Sequence, residues 1–159
     1  MNSVKWKVYV FFILLSEAVG IVAGILTREG MQIYSETVTK PALTPPAIVF
    51  PIVWTILYAL MGAGVAGVTL KPQSNERTRG LILYALQLLF NFGWSFIFFN
   101  WANYGFAFFW LLILIVLVSL MTDSFFKTDE LSGKMQIPYC VWLAFAAYLN
   151  LAVWILNIG

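Results

Sequence analysis

The chain has 159 residues, 62% hydrophobic and 10% charged, with a mean hydropathy of +0.88; a soluble domain averages roughly 45–50% apolar and about 25% charged. The sequence therefore describes an all-α integral membrane protein, and its net charge of +2 is too small to suggest nucleic acid. With no histidine and a single cysteine, Cys140, it excludes a His- or paired-Cys metal or haem site and an internal disulfide.

Five spans of about 20 residues with short connections fill residues 1–159 as one domain. Residues 2–7 are a short basic start with Lys5 and Lys7, and 8–26 form the first span. A basic start before an apolar run also describes a signal peptide, with small residues near Ala23 as its cleavage site. Gly20 and Gly24 make a GxxxG step that permits close helix approach. Glu17 falls near mid-span, where a charge costs at least ~2.5 kcal/mol. It is expected to face the bundle or a wet cavity, as a strut to another helix or as a ligand contact.

Residues 27–46 are a long polar loop, in which 31–38 are predicted to form a short helix resting on the membrane surface. The loop either covers the mouth of a cavity or simply connects two spans. Pro41, Pro45 and Pro46 stiffen its end, since proline has no amide donor and its ring clashes with a preceding helical turn. The second span, 47–69, then begins. Phe50, Trp54, Tyr58 and Met61 recur along it at spacings of four, four and three, so they share a face. That face is a pocket wall, a lipid contact or a packing stripe. Ala59, Ala63 and Gly67 form a small-residue row beside it.

After a polar loop at 70–79, in which Ser74 or Asn75 is suited to cap a helix, 80–100 form the third span. Gln87, Asn91, Trp94, Ser95 and Phe98 share one of its faces. Mid-membrane amides are expensive unless paired, so these bond to protein or line a cavity. Residues 101–104 are expected to turn tightly. The fourth span, 105–126, is nearly featureless and is expected to face lipid. A charged loop at 127–135 leads to the fifth span, 136–157, with Trp142, Ala146 and Asn150 on one face.

Lys5, Lys7, Lys71, Arg77, Arg79, Lys127 and Lys134 fall on one side of such a bundle, against Arg28 and Lys40 on the other. The excess of cations on the cytoplasmic side places the N-terminus inside, and the long loop and C-terminus outside. No Walker loop, GxSxG, HExxH, CxxC or dinucleotide fingerprint is present. Lys134, Tyr139 and Val141 fit a loose sterol-contact pattern that recurs by chance in many spans.

Three stretches carry a resemblance: KPALTPPAIVFPIVWTILYALMG at 40–62, QLLFNFGWSFIFF at 87–99 and IPYCVWLAFAAYLN at 137–150. In this order and at this length they resemble the tryptophan-rich sensory protein/translocator protein family (TspO/MBR, the peripheral-type benzodiazepine receptor family). The resemblance covers essentially the whole chain. It implies a five-helix bundle, commonly a homodimer in the lipid bilayer, with a cavity capped by the first long loop. It implies porphyrin as ligand, protoporphyrin IX among them, with no cofactor required, and a bacterial cytoplasmic membrane.

Carried over by motif position, the ligand-binding residues are Pro45, Phe50, Trp54, Tyr58, Gln87, Asn91, Trp94, Ser95, Trp142 and Ala146. Trp54 and Trp142 match the tryptophans tied to light- and oxygen-dependent porphyrin breakdown in some bacterial members, and would be the catalytic pair if that reaction occurs here. Three departures fall in the loop: Tyr34 stands where a Trp is usual, Ser35 where a Tyr is usual, and Leu43 replaces a Trp. No basic residue follows Tyr148, so the sterol pattern of some relatives is missing and cholesterol is not an expected ligand. The expected function is a membrane receptor or carrier for tetrapyrroles and other flat hydrophobic molecules, serving porphyrin metabolism or stress signalling. The alternatives are a porphyrin-degrading enzyme and a structural or regulatory membrane partner without turnover.

Overall fold

The computed structural model describes residues 3–159; Asn2, in the basic start, lies outside them. The protein is a helical membrane protein with five helices long and apolar enough to cross a bilayer. Helix α1 (Ser3–Leu26) is followed at once by α2 (Arg28–Thr37), a surface helix that begins three residues before the stretch expected at 31–38. A strap, 38–48, broken by turns at 42–43 and 47–48 where the Pro41 and Pro46 carbonyls accept from the Thr44 and Val49 N–H groups, then leads into α3 (Val49–Thr69).

Helix α4 (Asn75–Ser95) starts five residues before the expected span, because Ser74 caps it: the Ser74 hydroxyl accepts from the Arg77 N–H at 3.1 Å. The third span ends in a π-helical turn, Phe96–Asn100, closed by the Trp101 N–H on the Phe96 carbonyl at 2.9 Å. The wide turn is followed by Ala102 at φ 49°, a left-handed conformation unusual for a residue with a side chain. Asn103 then caps α5 (Tyr104–Thr128) by accepting from the Phe106 N–H. The charged loop contains a further short helix, α6 (Glu130–Lys134), capped by Asp129, and α7 (Ile137–Leu156) completes the bundle.

The fourth span corrects the sequence reading. Only one side of α5 faces outward, with Phe109 and Val116 each 56% exposed; the other is packed against both α4 and α7. Ala107, Leu111, Leu114, Val118, Met121 and Phe125, spaced four, three, four, three and four apart, are all at most 1% exposed. In a membrane both the protein-facing and the lipid-facing sides of a helix are apolar, so hydropathy does not tell them apart.

Helix α1 lies along α3. The contact needs Gly62, where an added Cβ would come within 2.5 Å of the Ile13 Cα. Of the GxxxG pair, Gly20 seats the ring of Tyr58 and Gly24 meets nothing. The small row on α3 divides in the same way: Gly67 is buried against Ser132, whereas Ala59 and Ala63 are half-exposed. Glu17 is half-buried on α1 and has no hydrogen bond or ion pair among the described residues.

Candidate functional site

Helices α3 and α7 face one another with little backbone approach, and rings fill the space between them. The spacing that puts Phe50, Trp54 and Tyr58 on one side of α3 brings Phe50 and Trp54 against α7, while Tyr58 reaches Gly20 of α1 and Asn91 of α4. On α7, Trp142 meets Phe50 and Trp54 edge-on, with centroids 5.9 and 6.5 Å apart, and Tyr139 meets Trp54 at 6.1 Å. Edge-to-face pairs of this kind are the favoured geometry of ring quadrupoles. From α4, Trp94 stacks on Phe98 at 4.9 Å. Its indole N–H donates to Asn150 Oδ1 at 3.0 Å, and the Asn150 amide in turn donates to the Tyr104 carbonyl.

At the centre of this shell is a void of about 10 Å³ lined by Trp54, Asn91, Trp94, Leu111, Leu114, Leu143 and Ala146. A drug-sized ligand needs roughly 300–1,000 Å³, so the shell is closed in this conformation. A larger concavity of about 400 Å³ lies elsewhere, lined by Asn75, Thr78, Arg79, Ile82 and Leu83. It is an open groove on α4 alone, with no groups converging from other elements.

Beneath the void the polar side chains form a chain of hydrogen bonds. The Tyr58 hydroxyl donates to Asn91 Oδ1 at 2.8 Å, and Asn91 Nδ2 donates to the Tyr139 oxygen at 2.7 Å. Tyr139 donates to Gln87 Oε1 at 2.8 Å, and Gln87 Nε2 points to the Met61 sulfur at 3.0 Å. Of the two readings open for the mid-membrane amides, the structure therefore shows pairing with protein for both Gln87 and Asn91. Asn91 alone also lines the void. One buried donor in the shell is left over: Trp142 Nε1 has no partner among the described residues.

Of the ten residues singled out from sequence, Trp54, Asn91, Trp94 and Ala146 line the void itself. Phe50 and Trp142 form the ring layer around it, and Tyr58 and Gln87 belong to the polar chain. Pro45, half-buried on the strap, and Ser95 lie outside the lining. Tyr139, Leu111, Leu114 and Leu143 were missed. Tyr139 had a signal, because it extends the Trp142, Ala146 and Asn150 face by three residues. The leucines had none.

The long loop closes the same end. Tyr34 of α2 packs on Phe98 and Phe99 of the π turn, at 5.4 and 5.5 Å, and the Lys40 ammonium sits 4.9 Å over its ring. Burial, and behind it the neighbouring Tyr104, push the Tyr34 phenol up to about 12, so it remains a neutral packing group. The other two departures are on the outside: Leu43 is 67% exposed, and the exposed Ser35 donates its hydroxyl to the Gln32 carbonyl of its own helix and accepts the Lys40 ammonium on its backbone carbonyl.

The shell holds no charged side chain and no metal-ligand cluster among the described residues. What it offers chemically is ring faces, oxidisable indoles and one unpaired N–H.

The chain matches the TspO/MBR family over residues 12–155. It is 33% identical over 141 residues to "Tryptophan-rich protein TspO" of Chlorobaculum tepidum, an alignment covering 88% of this chain and 89% of that protein. It is 35% identical over 125 residues to "Protein CrtK" of Rhodobacter capsulatus, covering 78% of each, and 33% identical over 133 residues to the human "Translocator protein", covering 82% and 78%. With a match that runs through α1, the aromatic shell and α7 alike, the chain belongs to the TspO/MBR family.

Proposed function

We propose that this protein is a membrane receptor or carrier for tetrapyrroles of the protoporphyrin IX type, and for other flat hydrophobic molecules, held between α3, α4, α5 and α7. The observation that carries this reading is the orphaned Trp142 N–H in a shell of rings. A buried donor without a partner costs about 1–3 kcal/mol, and an acceptor on the edge of a ring-stacked ligand would remove that cost. Trp54, Trp94 and Phe50 supply faces for stacking, and the hydrogen-bonded chain below them supplies a fixed floor.

Binding requires the shell to open from its present void of about 10 Å³. The name of the human relative, a translocator, supports a carrier role. The cation distribution supports an N-terminus inside a bacterial cytoplasmic membrane, and family membership supports a homodimer. A second reading, light- and oxygen-dependent porphyrin breakdown, is favoured by one feature, the contact between the indoles of Trp54 and Trp142.

The test is a tryptophan-quenching titration of detergent-purified protein with protoporphyrin IX, in the dark and under illumination. Saturable quenching is expected, with affinity about fivefold to tenfold weaker in Trp142→Phe, the effect of one net hydrogen bond. Absence of saturation in the wild type refutes tetrapyrrole binding. Loss of the porphyrin absorption band in light, abolished in Trp54→Phe/Trp142→Phe, would favour the enzymatic reading over the receptor.

A further inference from the structure

Because the void holds only about 10 Å³, something must move to admit a ligand, and the long loop, which packs beside Trp94, is held at two places of different kinds. The first is α2. Gly30 sits so close to the π turn that an added Cβ would lie 2.5 Å from the Phe99 carbonyl oxygen, and Tyr34 is wedged against Phe98 and Phe99. Asn100 Nδ2 also donates to the Leu26 carbonyl at the α1–α2 junction. These contacts bolt α2 to the bundle over a broad area.

The second is one side chain, Asn157, just past the end of α7. Its Oδ1 accepts from the Thr39 N–H at 3.1 Å and its Nδ2 donates to the Thr39 carbonyl at 2.9 Å. The amide thus pairs with the strap backbone as a neighbouring strand would. The same Nδ2 reaches the Val153 carbonyl at 2.7 Å, which also accepts the Asn157 backbone N–H at 3.1 Å, so the side chain is held against the last turn of α7. Only a primary amide offers this donor and acceptor combination; a carboxylate lacks the donors.

The strap matters because of what lies under it. Val38, adjacent to Thr39, packs on the cluster of Ile97, Phe98, Ala107 and Val153, which also holds Trp94. Trp94 is a wall of the void. Val38 is otherwise tied only locally, by its N–H on the Tyr34 carbonyl at 3.3 Å and by the Lys40 ammonium on its own carbonyl at 3.1 Å. We infer that Asn157 is the pin of a gate: its amide fastens the strap at Thr39 to the end of α7, and its release admits ligand to the aromatic shell from that end of the bundle. This rests on the proposed reading of the shell as the binding site, but the gate itself is testable without porphyrin.

The experiment introduces Ala146→Cys, a small change in the lining of the void, with Cys140→Ser to remove the native thiol. The rate of modification by a charged, water-soluble methanethiosulfonate is measured with Asn157, Asn157→Ala and Asn157→Asp. The gate predicts labelling about tenfold faster in Asn157→Ala, and faster also in Asn157→Asp, which keeps the acceptor for the Thr39 N–H but loses both donors. Hydrogen exchange of the same proteins should rise at Thr39 and Lys40 and stay unchanged across Gly30–Tyr34. Unchanged labelling in both variants overturns the gate, as does loss of protection in α2 alongside the strap. Labelling that follows the gate in the Ala146→Cys/Cys140→Ser proteins, with no binding of protoporphyrin by the wild type, refutes the tetrapyrrole reading and leaves the gate standing.

Discussion

The two ends of this bundle are closed by different means. At the α6 end the fastening is polar and short-range. Lys71 pairs with Asp129 at 2.8 Å, Asp129 accepts from Ser132, and Gln136 donates to the carbonyls of Leu60 and Ser132 at 3.3 and 3.2 Å. Glycines on α3 let α1 and α6 approach to backbone distance. At the α2 end α3 and α7 meet through rings alone, and the loop beside them is fixed at α2 by Gly30 and Asn100 but along its strap by the one polar clamp of Asn157. Ring contacts tolerate sliding and re-stacking at modest cost, whereas a directed hydrogen bond or a glycine-tight approach does not. The arrangement is a fixed base below an adjustable top, which is what the proposed opening of the shell requires.

The largest effect should come from breaking the base. Gly62→Leu forces a side chain into the Ile13 backbone, and overpacking of this severity costs about 3 kcal/mol. Thermal unfolding in detergent should show a large loss of stability, while Ala63→Leu, one position along on a half-exposed face, should be tolerated. Equal loss in both would mean that α1 and α3 do not pack as described.

Next in size is Tyr139→Phe, at the boundary between base and shell. It keeps the ring against Trp54 but removes the oxygen that accepts from Asn91 and donates to Gln87. Two buried amide groups lose a partner, at about 2 kcal/mol in total. Tyr84→Phe offers a milder comparison, since it breaks only the single bond with the Ser16 hydroxyl. Stability that falls equally in the two would mean that the chain below the void has no special weight.

The base and the shell also differed in how far the sequence disclosed them. The ring faces of α3, α4 and α7 were legible because Trp, Tyr and amides stand out in an apolar span and their spacing assigns a side. The packed side of α5 was not, because its buried stripe of Leu, Val and Met has the same hydropathy as its lipid face. The destination of the amides was left open between ligand and protein for a physical reason: either partner satisfies Asn91 equally, and only geometry selects Tyr58 and Tyr139. Asn157 carried no periodic signal at all, since its partner is the backbone of a residue 118 positions away. The short helix α6 was hidden by its charges, which read as loop although Asp129 is a good N-cap.

The smallest predicted effect is a pH dependence confined to the base. Burial alone would raise the Asp129 carboxyl, but the Lys71 ammonium and the Ser132 hydroxyl and N–H together outweigh it and hold the group below the usual carboxylate range. The folded protein therefore releases this proton more readily than the unfolded chain, whose aspartates titrate near about 3.9. The stabilisation is complete above that unfolded value and is lost as pH falls through the lower folded one. Lys71 stays charged throughout, its own value raised by the hydrogen bond to Asp129. The thermal midpoint should thus drop on acidification below about pH 5, and this part of the drop should vanish in Asp129→Asn. It should also shrink in high salt, because Lys71 is solvent-facing and its attraction is screened. A wild type and Asp129→Asn with the same acid limb would show that the pair contributes nothing. The fastening of α6 would then rest on Gln136 and the glycine contacts, which do not titrate.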